Sequence, residues 1–223
     1  MPQQTRHLAR HLPQRLAAYL LFILLLGCAA QPAQLATALP PADAGVKLVS
    51  VFDGLDDPWG MDFLPDGDLL VTEKGGRLLR LDPVRGTNTA VSGVPVSVSI
   101  GQGGLMDVLI SPEYLTDGWI YLSYVVAGEG GYATRIARAK LHGAKLDALE
   151  VLYTAAPFVT TKRHFGSRLL LTQGYLYFSL GERGERHKAQ SLASFNGKIM
   201  RVYADGSVPA DNPFVNVDGA LPE

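Results

Sequence analysis

Short apolar runs separated by turn residues dominate the chain from residue 46 onward. A Leu-Pro-Asp-Gly segment at 64–67 has the chemistry of a tight turn, because proline restricts φ and glycine accepts a positive φ. Lys-Gly-Gly-Arg at 74–77 predicts the next hairpin. Between these turns, the apolar runs predict strands over 46–52, 59–64, 68–72 and 77–81. No convincing helical period follows residue 45, so the pattern predicts an all-β domain.

A unit of three strands recurs along this region, with copies beginning at Gly60, Gly104 and Gly166. The later copies place second strands over 119–124 and 175–180 and third strands over 134–141 and 197–203. The first interval fits the period of propeller blades, roughly 40–50 residues, and the longer second interval indicates an insertion. The repeat therefore predicts a β-propeller of which about three to four blades fit here. A β-sandwich with chance similarity is the alternative.

The first 28 residues predict a secretion signal. A segment containing Arg6, Arg10 and Arg15 precedes an uncharged apolar run over 16–26. A membrane span needs roughly 20 residues, so this run suits a signal peptide better. Residues 29–45 are rich in Ala, Pro and Gln and predict a flexible tether before a domain over 46–223.

Cys28 is the sole cysteine and directly follows the apolar run. Its Leu-Leu-Gly-Cys context resembles the cleavage box of bacterial lipoproteins, so we expect Cys28 to carry a lipid; an ordinary cleaved signal is the alternative. We therefore expect an exported protein, periplasmic or anchored to the outer membrane, that touches the membrane only through this lipid. The balance of 20 basic against 21 acidic residues argues against a nucleic-acid partner, which would require a basic patch.

Three glycine-flanked polar segments stand at matching strand ends: Gly-Gln-Gly-Gly at 101–104, Arg-His-Phe-Gly at 163–166 and Gly-Glu-Arg-Gly at 181–184. In a propeller such strand ends gather at one mouth of the central channel, and glycine permits close approach of a backbone or flat ligand. His164 is the candidate general base, because histidine titrates near neutral pH. A structural histidine is the alternative.

Four motifs in order resemble the glucose/sorbosone dehydrogenase family, which includes soluble aldose sugar dehydrogenases dependent on pyrroloquinoline quinone (PQQ). The motifs lie at 58–67, 101–108, 164–169 and 211–214. The resemblance implies a six-bladed propeller with PQQ and Ca²⁺ bound at the channel mouth. It also implies oxidation of an aldose at its anomeric carbon to a lactone, with a quinone or cytochrome as electron acceptor.

The resemblance also implies roles for individual residues. His164 matches the family's catalytic base, and Gln102 matches an amide that hydrogen-bonds the sugar. Arg163 is expected to bind substrate, although the family usually has Asp or Asn there, and arginine only donates hydrogen bonds. Arg183 is expected to bind the cofactor, and Glu182 to brace its loop rather than to act as an acid.

The sequence assigns no metal ligand, since no convincing acidic cluster is present and Ca²⁺ takes six to eight oxygens. The resemblance places the calcium ligands and the residues that hold the PQQ carboxylates beyond Glu223. We therefore expect this length of chain to be inactive by itself. Two other functions stay open: a non-catalytic propeller module that binds a carbohydrate or protein, and a Ca²⁺-dependent lactonase-type hydrolase on the same architecture.

Overall fold

The computed structural model describes residues 47–223, and residues Ser50–Glu223 form one compact unit. The predicted secretion signal, its lipid site Cys28 and the tether over 29–45 lie outside the described residues. The described part folds into three antiparallel sheets, which confirms the all-β prediction. Within residues 47–223, no helix has the length and apolar character that crossing a membrane requires.

The first sheet has four strands in chain order: β1 (Pro58–Phe63), β2 (Leu69–Glu73), β3 (Leu78–Asp82) and β4 (Thr87–Ala90). The strand predicted over 46–52 is wrong, because residues 47–52 belong to no strand. Leu48 is 95% exposed, whereas Phe52 packs as loop against the apolar face of β2 and β3. The apolar residues at 47–52 thus provide a packing contact through Phe52 but do not form a strand.

The second sheet repeats this order with β5 (Leu105–Ile110), β6 (Trp119–Gly128), β7 (Gly131–His142) and β8 (Lys145–Thr154). A single helical turn, α1 (Tyr114–Asp117), lies between its first two strands. Its last three strands contain 10, 12 and 10 residues, against 5, 5 and 4 in the first sheet. These longer strands account for part of the long second interval of the repeat.

The third sheet contains β9 (Gly166–Thr172), β10 (Tyr175–Leu180) and β11 (Lys198–Tyr203). A 3-10 helix (Arg186–Gln190) lies in the connection before β11. The three sheets begin where the three copies of the repeat were predicted, which confirms the internal repeat. The fourth strands β4 and β8 escaped the sequence pattern because their side chains are mostly exposed and do not alternate cleanly.

Two apolar cores separate the three sheets. β6 directs Ile120 and Leu122 into the core shared with the first sheet, and the intervening Tyr121 into the core shared with the third. Successive strand residues point to opposite faces, so a strand covered on both faces reads as a continuous apolar run. Strand β6 of the middle sheet is therefore buried on both sides along most of its length.

Two aspartate carboxylates, one buried and one partly buried, add polar links between successive sheets. Asp62 Oδ2 accepts a hydrogen bond of 2.7 Å from the Ile110 backbone N–H, and Asp107 Oδ2 accepts one of 2.8 Å from the Leu169 N–H. Asp107, which is 1% exposed, also accepts a bond of 2.9 Å from Arg168 Nη1. Asp62 and Asp107, which stand at the same place in the first two repeats, thus each link their own sheet to the next.

Candidate active site

The structure brings the three glycine-flanked segments into direct contact. The Gln102 N–H donates a 2.9 Å hydrogen bond to the carbonyl of Lys162, which joins the segment before β5 to the segment before β9. A Cβ on Gly181 would lie 1.9 Å from the carbonyl oxygen of His164, so only glycine permits this approach of the segment after β10. The segments at 101–104 and 181–184 therefore both contact the segment that carries His164.

His164 forms a pair with Glu182. Its Nδ1 lies 2.6 Å from Oε1 and 2.8 Å from Oε2 of the carboxylate, and the two side chains are 42% and 20% exposed. Hydrogen bonding from His164 lowers the pKa of Glu182 below its ordinary value. A carboxylate only accepts hydrogen bonds, so Nδ1 carries a proton, and in the neutral ring Nε2 then keeps its lone pair. Within residues 47–223, Nε2 has no hydrogen-bond partner, which leaves it able to accept a proton.

The backbone of His164 is held in an uncommon conformation. Its φ of +54° lies in the left-handed region, which costs a non-glycine residue about 1–2 kcal/mol. The Oε1 atom of Gln102 accepts a 2.8 Å hydrogen bond from the His164 N–H. That oxygen therefore orients the histidine backbone, and the amide nitrogen of Gln102 is the group that remains to donate to a ligand. Sugar binding by Gln102 stays a prediction.

Arg183 is buried beneath this loop, with 1% of its surface exposed. Its guanidinium donates to the carbonyls of Arg163, Tyr132 and Thr161, and lies 3.8 Å from the centroid of the Phe165 ring. Burial lowers its pKa to about 10, so the group is still charged at neutral pH. Within the described residues, the guanidinium donates hydrogen bonds only to backbone carbonyls. The contact with the cofactor that was expected of Arg183 stays a prediction.

Arg163, adjacent to His164, is exposed. Its Nη2 would lie 3.2 Å from a Cβ placed on Gly184, so the guanidinium rests against the end of the third segment. None of the ion pairs formed within residues 47–223 involves it. The side chain is thus an unneutralised cation beside the candidate base, and its role in substrate binding stays a prediction.

One contact and one contributor were missed from sequence. Glu182 does brace its loop, since its Oε1 accepts a 3.2 Å hydrogen bond from the Gly184 N–H, but its carboxylate also contacts the imidazole of His164. Asn196 was not singled out, yet it is 2% exposed, donates a 2.8 Å hydrogen bond to the Glu182 carbonyl and accepts one of 2.7 Å from Ser194 Oγ. The sequence signal at Asn196 was an ordinary Asn-Gly turn, which does not reveal a partner fourteen residues away.

Residues 47–223 contain no group of three or more His, Cys, Asp or Glu side chains arranged to hold a metal ion. The described site itself combines a histidine–carboxylate pair with a neighbouring amide and an arginine that forms no ion pair within the described residues. Such a set can accept a proton from a hydroxyl and donate hydrogen bonds to its neighbours.

Comparison with known proteins places this chain in a family. The profile of the family described as Glucose / Sorbosone dehydrogenase matches residues 55–223. Aldose sugar dehydrogenase YliI of Escherichia coli (strain K12) is 37% identical over 194 residues, which cover 85% of this chain and 52% of that protein. The chain therefore spans about half the length of this relative.

Solved structures agree with the sequence match. The apo form of the soluble aldose sugar dehydrogenase of Escherichia coli aligns with a TM-score of 0.75 at 36% identity, over 78% of this chain and 51% of that one. The PQQ-bound form of aldose sugar dehydrogenase from Streptomyces coelicolor aligns with a TM-score of 0.66 at 32% identity, over 78% and 52%. By family profile, sequence identity and fold, this chain belongs to the glucose/sorbosone dehydrogenase family of β-propellers.

Proposed function

We propose that the protein oxidises aldose sugars at the anomeric carbon to lactones in a PQQ-dependent reaction. The observation that carries this proposal is the His164–Glu182 pair, in which Nε2 of a 42% exposed histidine has no hydrogen-bond partner among the described residues and can accept a proton. Family membership supports the reaction class, since the matched relatives are named aldose sugar dehydrogenases and one was solved in a PQQ-bound form.

His164 acts as the general base. Its Nε2 takes the proton of the anomeric hydroxyl while the hydrogen on the same carbon departs with its electron pair, and the C–O bond becomes the lactone carbonyl. PQQ, when bound, supplies the two-electron acceptor for that hydride. Glu182 keeps the Nδ1–H tautomer and then stabilises the imidazolium that forms, as carboxylates do for histidine bases elsewhere.

The flanking residues fit binding and orientation of the reactants. The amide nitrogen of Gln102 donates to a sugar hydroxyl, since its oxygen already accepts from His164. Arg163 offers an exposed guanidinium free of ion pairs within the described residues, which suits hydrogen bonding to an acceptor oxygen of the sugar. Ca²⁺ is proposed as a second cofactor because the family resemblance implies it. Its ligands would be residues other than those described.

The reaction is proposed to take place outside the cytoplasm. A quinone or cytochrome outside the cytoplasm receives the electrons. Export follows from the basic and apolar N-terminal segment, and lipid attachment from the position of Cys28 directly after it. Anchoring by several acyl chains would hold the enzyme stably at a membrane, whereas a single chain binds only weakly.

The decisive experiment replaces His164 with alanine in the full-length protein that carries these residues, supplied with PQQ and Ca²⁺. Dye-coupled sugar oxidation should lose about 10²–10⁴-fold in kcat, the usual contribution of a general base. PQQ binding, followed by absorbance, should persist. His187→Ala is the matched control, because that histidine is exposed in the 3-10 helix (Arg186–Gln190). Wild-type turnover in His164→Ala would refute the mechanism, and lactone hydrolysis without sugar oxidation would indicate a hydrolase.

A further inference from the structure

Arg183 has an unusual environment for a buried arginine. Arginine is almost never fully buried unless it is paired, and its usual partner is a carboxylate. Here the side chain is 1% exposed, and none of the ion pairs within residues 47–223 includes it. Desolvating a cation is costly, so a buried arginine with no carboxylate partner among the described residues indicates a requirement beyond the packing of the loop.

The acceptors of Arg183 identify that requirement. Nε donates a 3.1 Å hydrogen bond to the carbonyl of Arg163, the residue directly before His164. Nη2 donates to the carbonyl of Thr161, and Nη1 lies 3.4 Å from the carbonyl of Tyr132 at the start of β7. The planar guanidinium has several donors in a rigid fork, so it can connect these three carbonyls at once. Arg183 thus attaches the loop that carries His164 to the second sheet.

The residue after His164 is held by the same group. The Phe165 ring lies with its centroid 3.8 Å from the guanidinium carbon of Arg183 and is 3% exposed. Gly103 makes room for this ring, because a Cβ there would lie 2.7 Å from the Phe165 Cε2 atom. Arg183 therefore contacts the residues on both sides of His164, and among the described residues it forms no hydrogen bond with His164 itself.

Consecutive residues then hold the histidine in two ways. Glu182 bonds the imidazole, and Arg183 bonds the flanking backbone. The φ of +54° at His164 is a conformation that the loop must enforce. We propose that Arg183 is a positioning residue that keeps the His164 ring within hydrogen-bond distance of Glu182. The proposal rests on the proposed function of His164 for its catalytic consequence, and on geometry alone for its structural consequence.

The test uses Arg183→Met, which keeps a long apolar side chain and removes every donor, and Arg183→Lys, which keeps charge without the fork. Selective ¹⁵N-histidine NMR of the full-length protein, recorded at a pH where the ring is neutral, reports which nitrogen of His164 is protonated. Wild type should show the Nδ1–H tautomer. Both variants should show a mixture of the Nδ1–H and Nε2–H tautomers. The Nδ1–H fraction of Arg183→Lys should lie between those of wild type and Arg183→Met. This readout requires neither PQQ nor sugar.

Activity of the PQQ-loaded enzyme supplies a second readout. Misplacing a reacting group by about 1 Å can cost on the order of 10²-fold, so kcat of Arg183→Met should fall by roughly 10–100-fold with little change in KM. Tyr121→Phe is the stability control, because it deletes the buried hydroxyl bond to the Ala204 carbonyl far from this loop. If Arg183→Met does not fold, Arg183→Lys decides the question.

A wild-type tautomer spectrum in the folded variants would overturn the proposal, as would a loss of kcat that Tyr121→Phe reproduces. Failure of the proposed function is seen separately. It would appear as full turnover in His164→Ala, while the tautomer of His164 would still report whether Arg183 positions the ring.

Discussion

Replacing Asp107 with alanine removes an acceptor that joins the second and third sheets. The carboxylate is 1% exposed and accepts 2.8 Å and 2.9 Å hydrogen bonds from the Leu169 N–H and from Arg168 Nη1. Alanine leaves the Leu169 N–H buried without a partner, whereas Arg168, whose side chain is 68% exposed, regains water. Most of the cost therefore comes from the backbone donor.

The magnitude follows from these two contacts. A buried donor left without a partner costs about 1–3 kcal/mol. The ion pair to the exposed Arg168 adds about 0–1 kcal/mol, as surface pairs do. We expect Asp107→Ala to lower the free energy of unfolding by about 1–4 kcal/mol. Asp62→Ala is the matched control: Asp62 bonds the Ile110 N–H at the other sheet junction but is only partly buried, so its loss should cost about 0.5–1.5 kcal/mol.

Asp107→Asn tests the charge separately. Burial raises the pKa of Asp107 above its ordinary value of 3.8, although the Leu169 N–H and Arg168 oppose the shift. A raised carboxyl pKa means that the folded protein binds a proton more tightly than the unfolded chain. Stability contributed by the protonated form is therefore lost as pH rises from 3.8 through the raised value. Wild type should lose stability relative to Asp107→Asn across that window.

Urea denaturation of the full-length protein, followed by tryptophan fluorescence and far-UV circular dichroism, measures all three variants. Equal m-values would show that the variants differ in stability and not in the compactness of either state. Equal losses for Asp107→Ala and Asp62→Ala would refute the argument from burial. A pH-independent difference between wild type and Asp107→Asn would refute the sign of the pKa shift.

Three further outcomes are expected. Glu182→Gln should lower kcat by about 10²–10⁴-fold, because an amide can donate to Nδ1 and favour the wrong tautomer of His164; unchanged dye-coupled turnover would contradict this. Gly181→Ala should abolish sugar oxidation, since its Cβ meets the His164 carbonyl at 1.9 Å, whereas Gly75→Ala, whose Cβ meets nothing, should not. Cys28→Ser should release the protein from the membrane fraction with its circular dichroism spectrum unchanged, and equal membrane retention on immunoblots would exclude the lipid.

The amino-acid sequence by itself determined the class of the fold and predicted the three segments that meet at the candidate site. Alternating and continuous apolar runs with turn residues between them predicted the inner strands of all three sheets, because burial on one or both faces leaves that pattern. The four motifs predicted the family, which the profile match confirms. Glycine-flanked segments predicted where polar residues would gather, and His164 stood in one of them.

Tertiary structure decided the features that depend on contacts between distant residues. The outer strands β4 and β8 exist through pairing with their neighbours, and the run over 47–52 lacks such a partner despite its apolar residues. The pairing of His164 with Glu182 and the burial of Arg183 under the loop likewise require chain segments about twenty residues apart to meet. Local periodicity records whether a side chain is buried, but it does not record which polar atom it will face, because that choice is made only when the sheets and loops pack.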